Sequence, residues 1–140
     1  MYISTEPLII SLKSLMIVVK ENLNTNLIIW RTNMITFKIY QVKDIENTDY
    51  AFHSFNPNKF NFKDYEERYE MEFVTAEDKT NFEICETVFH IFNMRRPADF
   101  KGHSISVSDI IEIKRHGSSS FYYCDMCGFS RLNRHDLRIW

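Results

Sequence analysis

Apolar and polar positions alternate clearly in two segments of this chain. Over residues 35–40 the odd-numbered side chains are apolar, while the even-numbered ones are Thr, Lys and Tyr. A period of two is typical of a half-buried strand, which we predict over residues 34–42. The second segment, residues 65–74, carries Tyr65 and Tyr69 on its apolar parity and charged side chains on the other. It predicts a strand with one core face and one charged outer face.

A helix is predicted after the second strand. Thr80 and Glu83 form a capping box, in which the Thr hydroxyl accepts from the Glu amide and the Glu carboxylate accepts from the Thr amide. Pro97 prevents the helix from continuing beyond about residues 93–96. We predict a helix over about residues 81–93, with one apolar stripe that packs on the sheet. The stripe has helical spacing and consists of Cys85, Val88, Phe89 and Phe92.

The last third of the chain predicts a hairpin. Residues 110–113 are rich in Ile and predict a strand, residues 116–120 a turn, and residues 121–125 the returning strand. Residues 49–63 lack either period and predict a loop with a short helical turn. The fold class expected is therefore α+β, with a small antiparallel sheet of about four strands, one main packed helix and an N-terminal extension.

Length and composition narrow the class of protein. A chain of 140 residues with 44% hydrophobic side chains and few glycines or prolines is typical of one packed domain. The formal net charge of −2 argues against a general nucleic-acid binder, which needs a basic surface. Three cysteines without a secretory signal fit a reducing cytoplasm, which we predict as the location. The longest apolar run, residues 8–19, is shorter than the roughly 20 residues of a bilayer span.

Two stretches carry a motif. The first, residues 96–111, reads Arg-Pro-Ala-Asp-Phe-Lys-Gly-His-Ser-Ile-Ser-Val-Ser-Asp-Ile-Ile, and the second, residues 121–129, reads Phe-Tyr-Tyr-Cys-Asp-Met-Cys-Gly-Phe. Together they resemble the signature of the YodL-like domain family. The positions of this signature are Arg96, Pro97, Asp99, Phe100, Gly102, His103, Ser104, Ser106, Ser108, Asp109, Tyr123, Asp125, Gly128 and Phe129.

The resemblance implies a small α+β module, found alone or inside large proteins of conjugative transposons, plasmids and phages of low-GC Gram-positive gut bacteria. The family's opening strand is similar to the strand that begins at Met34. We therefore divide the chain into an N-terminal extension, 1–33, a YodL-like domain, 34–132, and a basic C-terminal tail, 133–140. The extension is either an added helix that packs on the sheet or a segment outside the core.

The candidate metal ligands do not form a recognisable set. Cys124 and Cys127 are a single Cys-x-x-Cys pair, with Cys85, His116 and His135 as further candidates. A closed zinc site needs four ligands, usually as two tight pairs. Residues three apart in a strand also point to opposite faces. We therefore predict no metal and no cofactor.

The signature also contains the residue types of a Ser-His-Asp triad, but a triad is defined by geometry. The Ser and Asp side chains of residues 104–109 are better explained as hydrogen-bonding groups that fix a tight turn. Gly102 and Gly128 are predicted as turn residues with positive φ. An enzyme is the less favoured class, and its remaining form is a small hydrolase or nuclease built around His103, Asp109 and Asp125.

Charge is distributed unevenly along the chain. Residues 64–78 carry seven acidic side chains and one basic side chain. This acidic surface is either a solvated strand face or a site for the basic surface of a partner. The C-terminal arginines either contact phosphates or belong to a mobile terminus. The binding candidates are Glu66, Glu70 and Glu72 on the strand, and Arg131, Arg134 and Arg138 near the end.

The function we predict is a non-enzymatic protein-interaction module encoded by a mobile genetic element or phage. It would inhibit a host defence system, in the manner of anti-CRISPR or anti-restriction proteins. The expected partner is a host or element-encoded protein, such as a nuclease complex, and no membrane is involved. The alternative from another class is a nucleic-acid-binding accessory protein of a conjugative element. Salt dependence separates the two, because phosphate contacts lose affinity steeply with salt.

Overall fold

The computed structural model describes residues 10–11, 32–76 and 78–138. These residues form an antiparallel sheet with one main helix packed on it. The α+β class expected from the sequence is confirmed, and the described sheet has more strands than the four expected. Its strands are β1 (Ile10–Ser11), β2 (Thr32–Val42), β3 (Tyr65–Ala76), β4 (Ile110–Arg115), β5 (Ser118–Asp125) and β6 (Gly128–Leu132). The helices are a 3₁₀ turn (Phe62–Asp64), α1 (Asn81–Met94) and α2 (Arg134–Leu137).

The strands lie in the order β1-β3-β2-β4-β5-β6, and each neighbouring pair is antiparallel. β2 and β4 occupy the middle, where both neighbours are paired. The N-terminal segment reaches the sheet at β1, where Ile10 and Ser11 pair with Val74 and Phe73 of β3. Most of the predicted extension lies outside the described residues, so its relation to the core stays a prediction.

The two faces of the sheet carry separate apolar clusters. α1 covers one face, hereafter the helix face, where Phe37, Phe73 and Ile111 are almost completely buried. The opposite face is covered at one end by the loop after β2 and by α2. The cluster on that face consists of Val42, Tyr50, Phe60, Tyr65, Ile110, Tyr123, Leu132 and Leu137. The remainder of the opposite face, hereafter the open face, carries polar and charged side chains.

The start of α1 is as the sequence predicts. The Glu83 amide donates to the Thr80 hydroxyl at 3.2 Å, and the Thr80 amide donates to the Glu83 carboxylate at 2.8 Å. The buried stripe is different from the prediction, because it consists of Ile84, Cys85, Val88 and Phe92. The prediction that Phe89 points into the sheet is wrong, since its side chain is 36% exposed. Among the described residues, no helix has both the length and the apolar character needed to cross a membrane.

A bulge in β3 changes which side chains share a face. Ile39 pairs with Tyr69, but the next residue, Tyr40, pairs with Glu67, which leaves Arg68 as the extra residue. Side chains alternate between faces, so the extra residue reverses the parity of the strand before it. Tyr65 consequently packs on the opposite face from Tyr69. The prediction that these two tyrosines lie on one face is therefore wrong.

The hairpin of β4 and β5 has a tighter turn than predicted. Only His116 and Gly117 lie between the strands, with φ of 51° and 77°. Positive φ at both central residues is the geometry that twists with the flanking strands. The three serines after the turn belong to β5, where they extend the pairing with β4.

Candidate functional site

A buried carboxylate holds the loop between α1 and β4, residues 95–109, hereafter the signature loop. Asp109 is 1% exposed. Its Oδ2 accepts hydrogen bonds from Gln41 Nε2 and from the Ser106 backbone N–H, each at 2.9 Å. Gln41 Nε2 also donates to the His103 carbonyl at 2.8 Å. The Gln41 amide and the Asp109 carboxylate therefore fix the path of the loop relative to β2.

Burial controls the protonation of this carboxyl. Removal from water raises the pKa of Asp109 to about 6, although the hydrogen bonds from Ser106 and Gln41 act in the lowering direction. The ring of His103 lies alongside, with Nε2 at 3.8 Å from Asp109 Oδ1. A positive charge there would favour the ionised carboxylate. The pair thus couples a buried acid to a histidine that reaches the surface.

The loop serines bond to the backbone. Ser106 Oγ donates to the Ser104 carbonyl at 3.0 Å, and Ser108 Oγ accepts from the Phe52 N–H at 2.9 Å. Ser108 has a φ of 79°, a conformation that costs energy for a residue other than glycine. The Tyr65 hydroxyl holds it by donating to the Ser108 carbonyl at 2.7 Å. Both hydroxyls stabilise the loop, so neither Ser106 nor Ser108 has the environment of an activated nucleophile.

Asp125 accepts hydrogen bonds within its own turn and from the Phe55 N–H of the loop after β2, at 3.4 Å. Partial burial raises its pKa, but hydrogen bonds from the Ser130 hydroxyl and the Met126 amide lower it overall. Those two donors lie 2.7 Å and 2.9 Å from the carboxylate. Of the three residues in the hydrolase alternative, His103 lies beside Asp109, while the Asp125 carboxylate accepts from Ser130 and Met126.

Gly102 is required for a close approach. It does not have the positive φ that the sequence predicts, whereas Gly128 does, at 91°. A Cβ atom on Gly102 would lie 2.0 Å from Gln41 Oε1 and 3.0 Å from the Phe100 ring. Any side chain at this position would displace the amide that binds Asp109. Gly102 and Gln41 therefore belong to one packed unit.

The two cysteines of the Cys-x-x-Cys pair lie in different environments. Cys124 is buried in β5 on the helix face, and burial raises the pKa of its thiol. Cys127 is exposed in the turn between β5 and β6. Within the described ranges, no group of three or more His, Cys, Asp or Glu side chains is arranged to hold a metal ion.

The acidic binding candidates do not share one face, which corrects a sequence prediction. Because of the bulge at Arg68, Glu66 pairs with Gln41 and lies on its face, the helix face. Glu70 and Glu72 lie on the open face, and the acid that joins them there is Glu67. Lys38 lies between two of these carboxylates. Its Nζ is 3.0 Å from Glu67 and 3.7 Å from Glu70.

Two of the three C-terminal arginines, Arg131 and Arg134, line a concave surface beside α2. Arg134 and Arg138 belong to α2 and its cap, and α2 is fixed by the buried side chain of Leu137. The mobility of the terminus stays a prediction, and residues 139–140 lie outside the described ranges. The surface is a shallow groove of about 680 Å³, hereafter the arginine groove. Its lining residues are Ser119, Ser120, Phe121, Arg131, Leu132, Asn133, Arg134 and Leu137.

An apolar groove separates the exposed side of α1 from the turn between β5 and β6. It has a volume of about 390 Å³ and is hereafter the α1–β6 groove. Met126 is 67% exposed at its edge, and the rings of Phe89 and Phe129 pack edge to face with centroids 6.3 Å apart. Its lining residues are Glu86, Phe89, His90, Cys124, Asp125, Met126, Gly128 and Phe129.

The α1–β6 groove was not predicted from the sequence. Phe89 has the spacing of a core residue, and Gly128 and Phe129 were noted only as signature positions. The sequence feature that could have indicated the groove is the pair Met126-Cys127, which separates two apolar segments. A short separation of this kind is typical of a turn between two strands of a hairpin. Recognition of β6 would have placed Phe129 on the sheet edge.

Comparison with known proteins identifies one family. The model of the YodL-like domain matches residues 36–134, which include the signature loop, the α1–β6 groove and all strands from β3 to β6. No curated protein matches the chain, and no solved structure does so.

Proposed function

The chain belongs to the YodL-like domain family, and from this premise we propose that it is a non-enzymatic protein-interaction module whose partner docks in the α1–β6 groove. The observation that carries the proposal is the apolar surface of that groove. Phe89 and Met126 are 36% and 67% exposed on opposite sides of a concavity of about 390 Å³. Concave apolar surfaces with exposed large side chains are typical of docking sites.

The charges around the groove favour a basic partner. Glu86, which is exposed on α1, lines the groove. The open face, on the other side of the sheet, carries further negative charge at Glu67, Glu70 and Glu72, which Lys38 offsets in part. Charges of one sign increase the rate of encounter with an oppositely charged partner even when they lie away from the docking surface.

The signature loop supports the groove as a scaffold. Cys124, which lines the groove, donates its backbone N–H to the Asp109 carbonyl at 2.8 Å and accepts from the Ser108 N–H at 2.9 Å. The loop that Gln41 and Asp109 hold therefore continues directly into the groove wall. A structural role for the signature explains why its polar side chains bond within the loop.

The identity of the partner is a further part of the proposal. We take it to be a host or element-encoded protein, and nuclease complexes of host defence are the first class to examine. The support is the mobile-element setting implied for YodL-like domains, together with Glu86 at the groove and the acidic residues of the open face, since nucleases carry basic surfaces for their substrates.

The test is capture of a partner with matched variants. Wild-type chain, Met126→Ser and Phe89→Ser are used as baits in a lysate of the host, together with Met94→Ser, which changes an equally exposed Met outside the groove lining. We expect one protein to be retained by the wild type and by Met94→Ser, and lost with both groove variants. Retention of the same proteins by all four baits would contradict docking in the groove.

Nucleic-acid binding is the second candidate, favoured by the arginine groove. Arg131 and Arg134 are exposed beside the half-buried ring of Phe121, which gives phosphate-binding groups next to an aromatic surface. Fluorescence anisotropy with labelled single-stranded DNA at several salt concentrations tests this candidate. A steep loss of affinity with salt that Arg134→Glu abolishes would support it, and weak binding unaffected by Arg134→Glu would exclude it.

A further inference from the structure

β6 has one free edge among the described residues. The sheet order ends at β6, which pairs with β5 on one side only. Such an edge presents unpaired backbone N–H and C=O groups, which can pair with an additional strand. Natural proteins usually protect an edge of this kind with proline, with an inward charge or with a covering segment. β6 contains no proline, and its sequence is Gly-Phe-Ser-Arg-Leu.

The register shows which groups of β6 point outward. Phe129 lies opposite Cys124. Cys124 uses its N–H and its C=O for bonds to Asp109 and Ser108, on its other side. In an antiparallel ladder, opposite residues exchange either both bonds or neither, and the two kinds of pair alternate. Phe129 therefore directs its N–H and C=O away from β5, and Arg131, two residues on, does the same.

The outward groups lie next to the α1–β6 groove. The side chain of Phe129 is on the helix face, against the ring of Phe89. In a strand added to this edge, the residue opposite Phe129 would also place its side chain on the helix face. That side chain would enter the groove between α1 and β6. The free edge and the groove thus form one continuous surface.

The two ends of β6 differ in charge. Glu86 lies at the Gly128 end, where its exposed side chain lines the groove. Arg131 and Arg134 lie at the Leu132 end. The acid nearest to them in the sequence, Asp136, accepts a hydrogen bond from the Asn133 backbone N–H in the cap of α2. A matching segment therefore has a basic side chain at the first end and an acidic one at the second.

We propose that β6 binds an extended peptide segment of a partner protein as an additional strand, with a large apolar side chain in the α1–β6 groove. The segment carries a basic residue on the Gly128 side of this apolar side chain and an acidic residue on the Leu132 side, each two positions away. Main-chain hydrogen bonds to Phe129 and Arg131 supply affinity, while the groove and the charges supply selectivity. This inference rests on the proposed function and specifies the chemistry of its partner.

The probe is a library of random dodecapeptides displayed on phage. It is selected on the intact wild-type chain, and peptides that also bind the Phe89→Ser variant are removed. We expect the enriched peptides to share a large apolar residue with an acid two positions to one side and a base two positions to the other. Enrichment without this pattern, or no peptide that depends on Phe89, would overturn the proposal.

Backbone pairing is then tested on an enriched peptide by fluorescence anisotropy. N-methylation removes one amide donor at a time, and we expect at least a tenfold loss of affinity at alternate residues and little loss at the residues between them. In the protein, Arg131→Pro removes an outward N–H, whereas Arg131→Ala keeps it. We expect the Pro variant to bind at least tenfold more weakly than the Ala variant. Circular dichroism shows whether the Pro variant is folded. If the Pro variant is unfolded, the test of backbone pairing rests on the N-methyl series alone.

Two outcomes would overturn strand addition. The first is an equal loss of affinity at every N-methylated residue of a peptide whose binding still depends on Phe89. This result would keep the proposed function as an interaction module, but it would place the peptide in the groove without pairing to β6. The second is a dimer in sedimentation equilibrium that Arg131→Pro dissociates, which would assign the free edge of β6 to a second copy of this chain. Failure of the proposed function itself would instead appear in the capture experiment with Met126→Ser and Met94→Ser.

Discussion

The side-chain amide of Gln41 donates to the Asp109 carboxylate across 2.9 Å, and both residues are almost completely buried. One residue lies in β2 and the other at the entry to β4, so this bond, with the bond from Gln41 to the His103 carbonyl, ties the signature loop to the middle of the sheet. A buried carboxylate without its donors would be strongly destabilising. The bond helps to explain why a loop with three serines and one glycine has one fixed path.

Asp109 gives the protein a pH-dependent stability. Its pKa is raised from an ordinary value near 4 to about 6 in the folded state, so the folded protein holds one proton more than the unfolded chain between these pH values. Stability from this residue is therefore greatest at low pH and falls as pH rises through about 4 to 6. Asp109→Asn should lack this dependence.

Chemical denaturation at a series of pH values measures the effect. The free energy of unfolding of the wild type, relative to Asp109→Asn, should fall by about 1–3 kcal/mol between pH 4 and pH 7. Because the His103 ring lies beside the carboxylate, this difference includes the charge interaction of His103 with Asp109. A constant difference across this range would show that its pKa is not raised.

Gly102 and Gln41 should be energetically coupled. Gly102→Ala places a methyl group 2.0 Å from Gln41 Oε1, and relief of this overlap moves the amide away from Asp109. We expect a loss of roughly 1–3 kcal/mol, the usual range for overpacking of a buried position. In a Gln41→Ala background the same substitution should cost less than half as much. Equal costs in the two backgrounds, measured by urea unfolding, would contradict the coupling.

Phe89 and Phe92 should behave differently although they are three residues apart on one helix. Phe92 is 2% exposed, and its ring packs against Phe37, Tyr69 and Phe100. Phe92→Ala should cost about 3–5 kcal/mol of stability. Phe89→Ala should cost about 1 kcal/mol or less, because the side chain is partly exposed. Thermal unfolding of both variants tests this, and a larger loss from Phe89→Ala would return Phe89 to the core.

The sequence predicted those features of the fold that depend on neighbouring residues. Thr80 and Glu83 form a capping box within four residues, so the start of α1 could be located in advance. The burial of Phe89 could not, because Ile84, Val88 and Phe89 all fit an apolar stripe, and the position of the sheet decides between them. The bulge at Arg68 depends on pairing with a strand about thirty residues away in the chain.

The candidate site was less predictable for the same reason. Phe89 and Met126 are distant in the sequence. They line the same groove only because β5 and β6 form a hairpin beside α1. Glu66, Glu70 and Glu72 were grouped by parity, and the bulge separates Glu66 from the other two. Long-range pairing thus determined both the surface that the sequence missed and the one that it placed only in part.

The acidic residues of the open face should affect association more than stability. Reversal of Glu67, Glu70 and Glu72 to Lys should change the free energy of unfolding by less than about 1 kcal/mol, since exposed ion pairs contribute little. It should slow association with a captured partner at low salt. Glu66→Lys, on the other face, is the control and should leave the rate nearly unchanged. Surface plasmon resonance measures both, and equal rates for the triple variant and the wild type would remove this surface from the interaction.

Docking in the α1–β6 groove is tested most directly by hydrogen–deuterium exchange of the intact chain with and without the protein that it captures. We expect new protection in residues 126–132 and in the turn of α1 that carries Glu86, Phe89 and His90, where the groove and the free edge of β6 lie. Protection confined to the signature loop, or to the acidic residues of β3, would contradict docking in the groove.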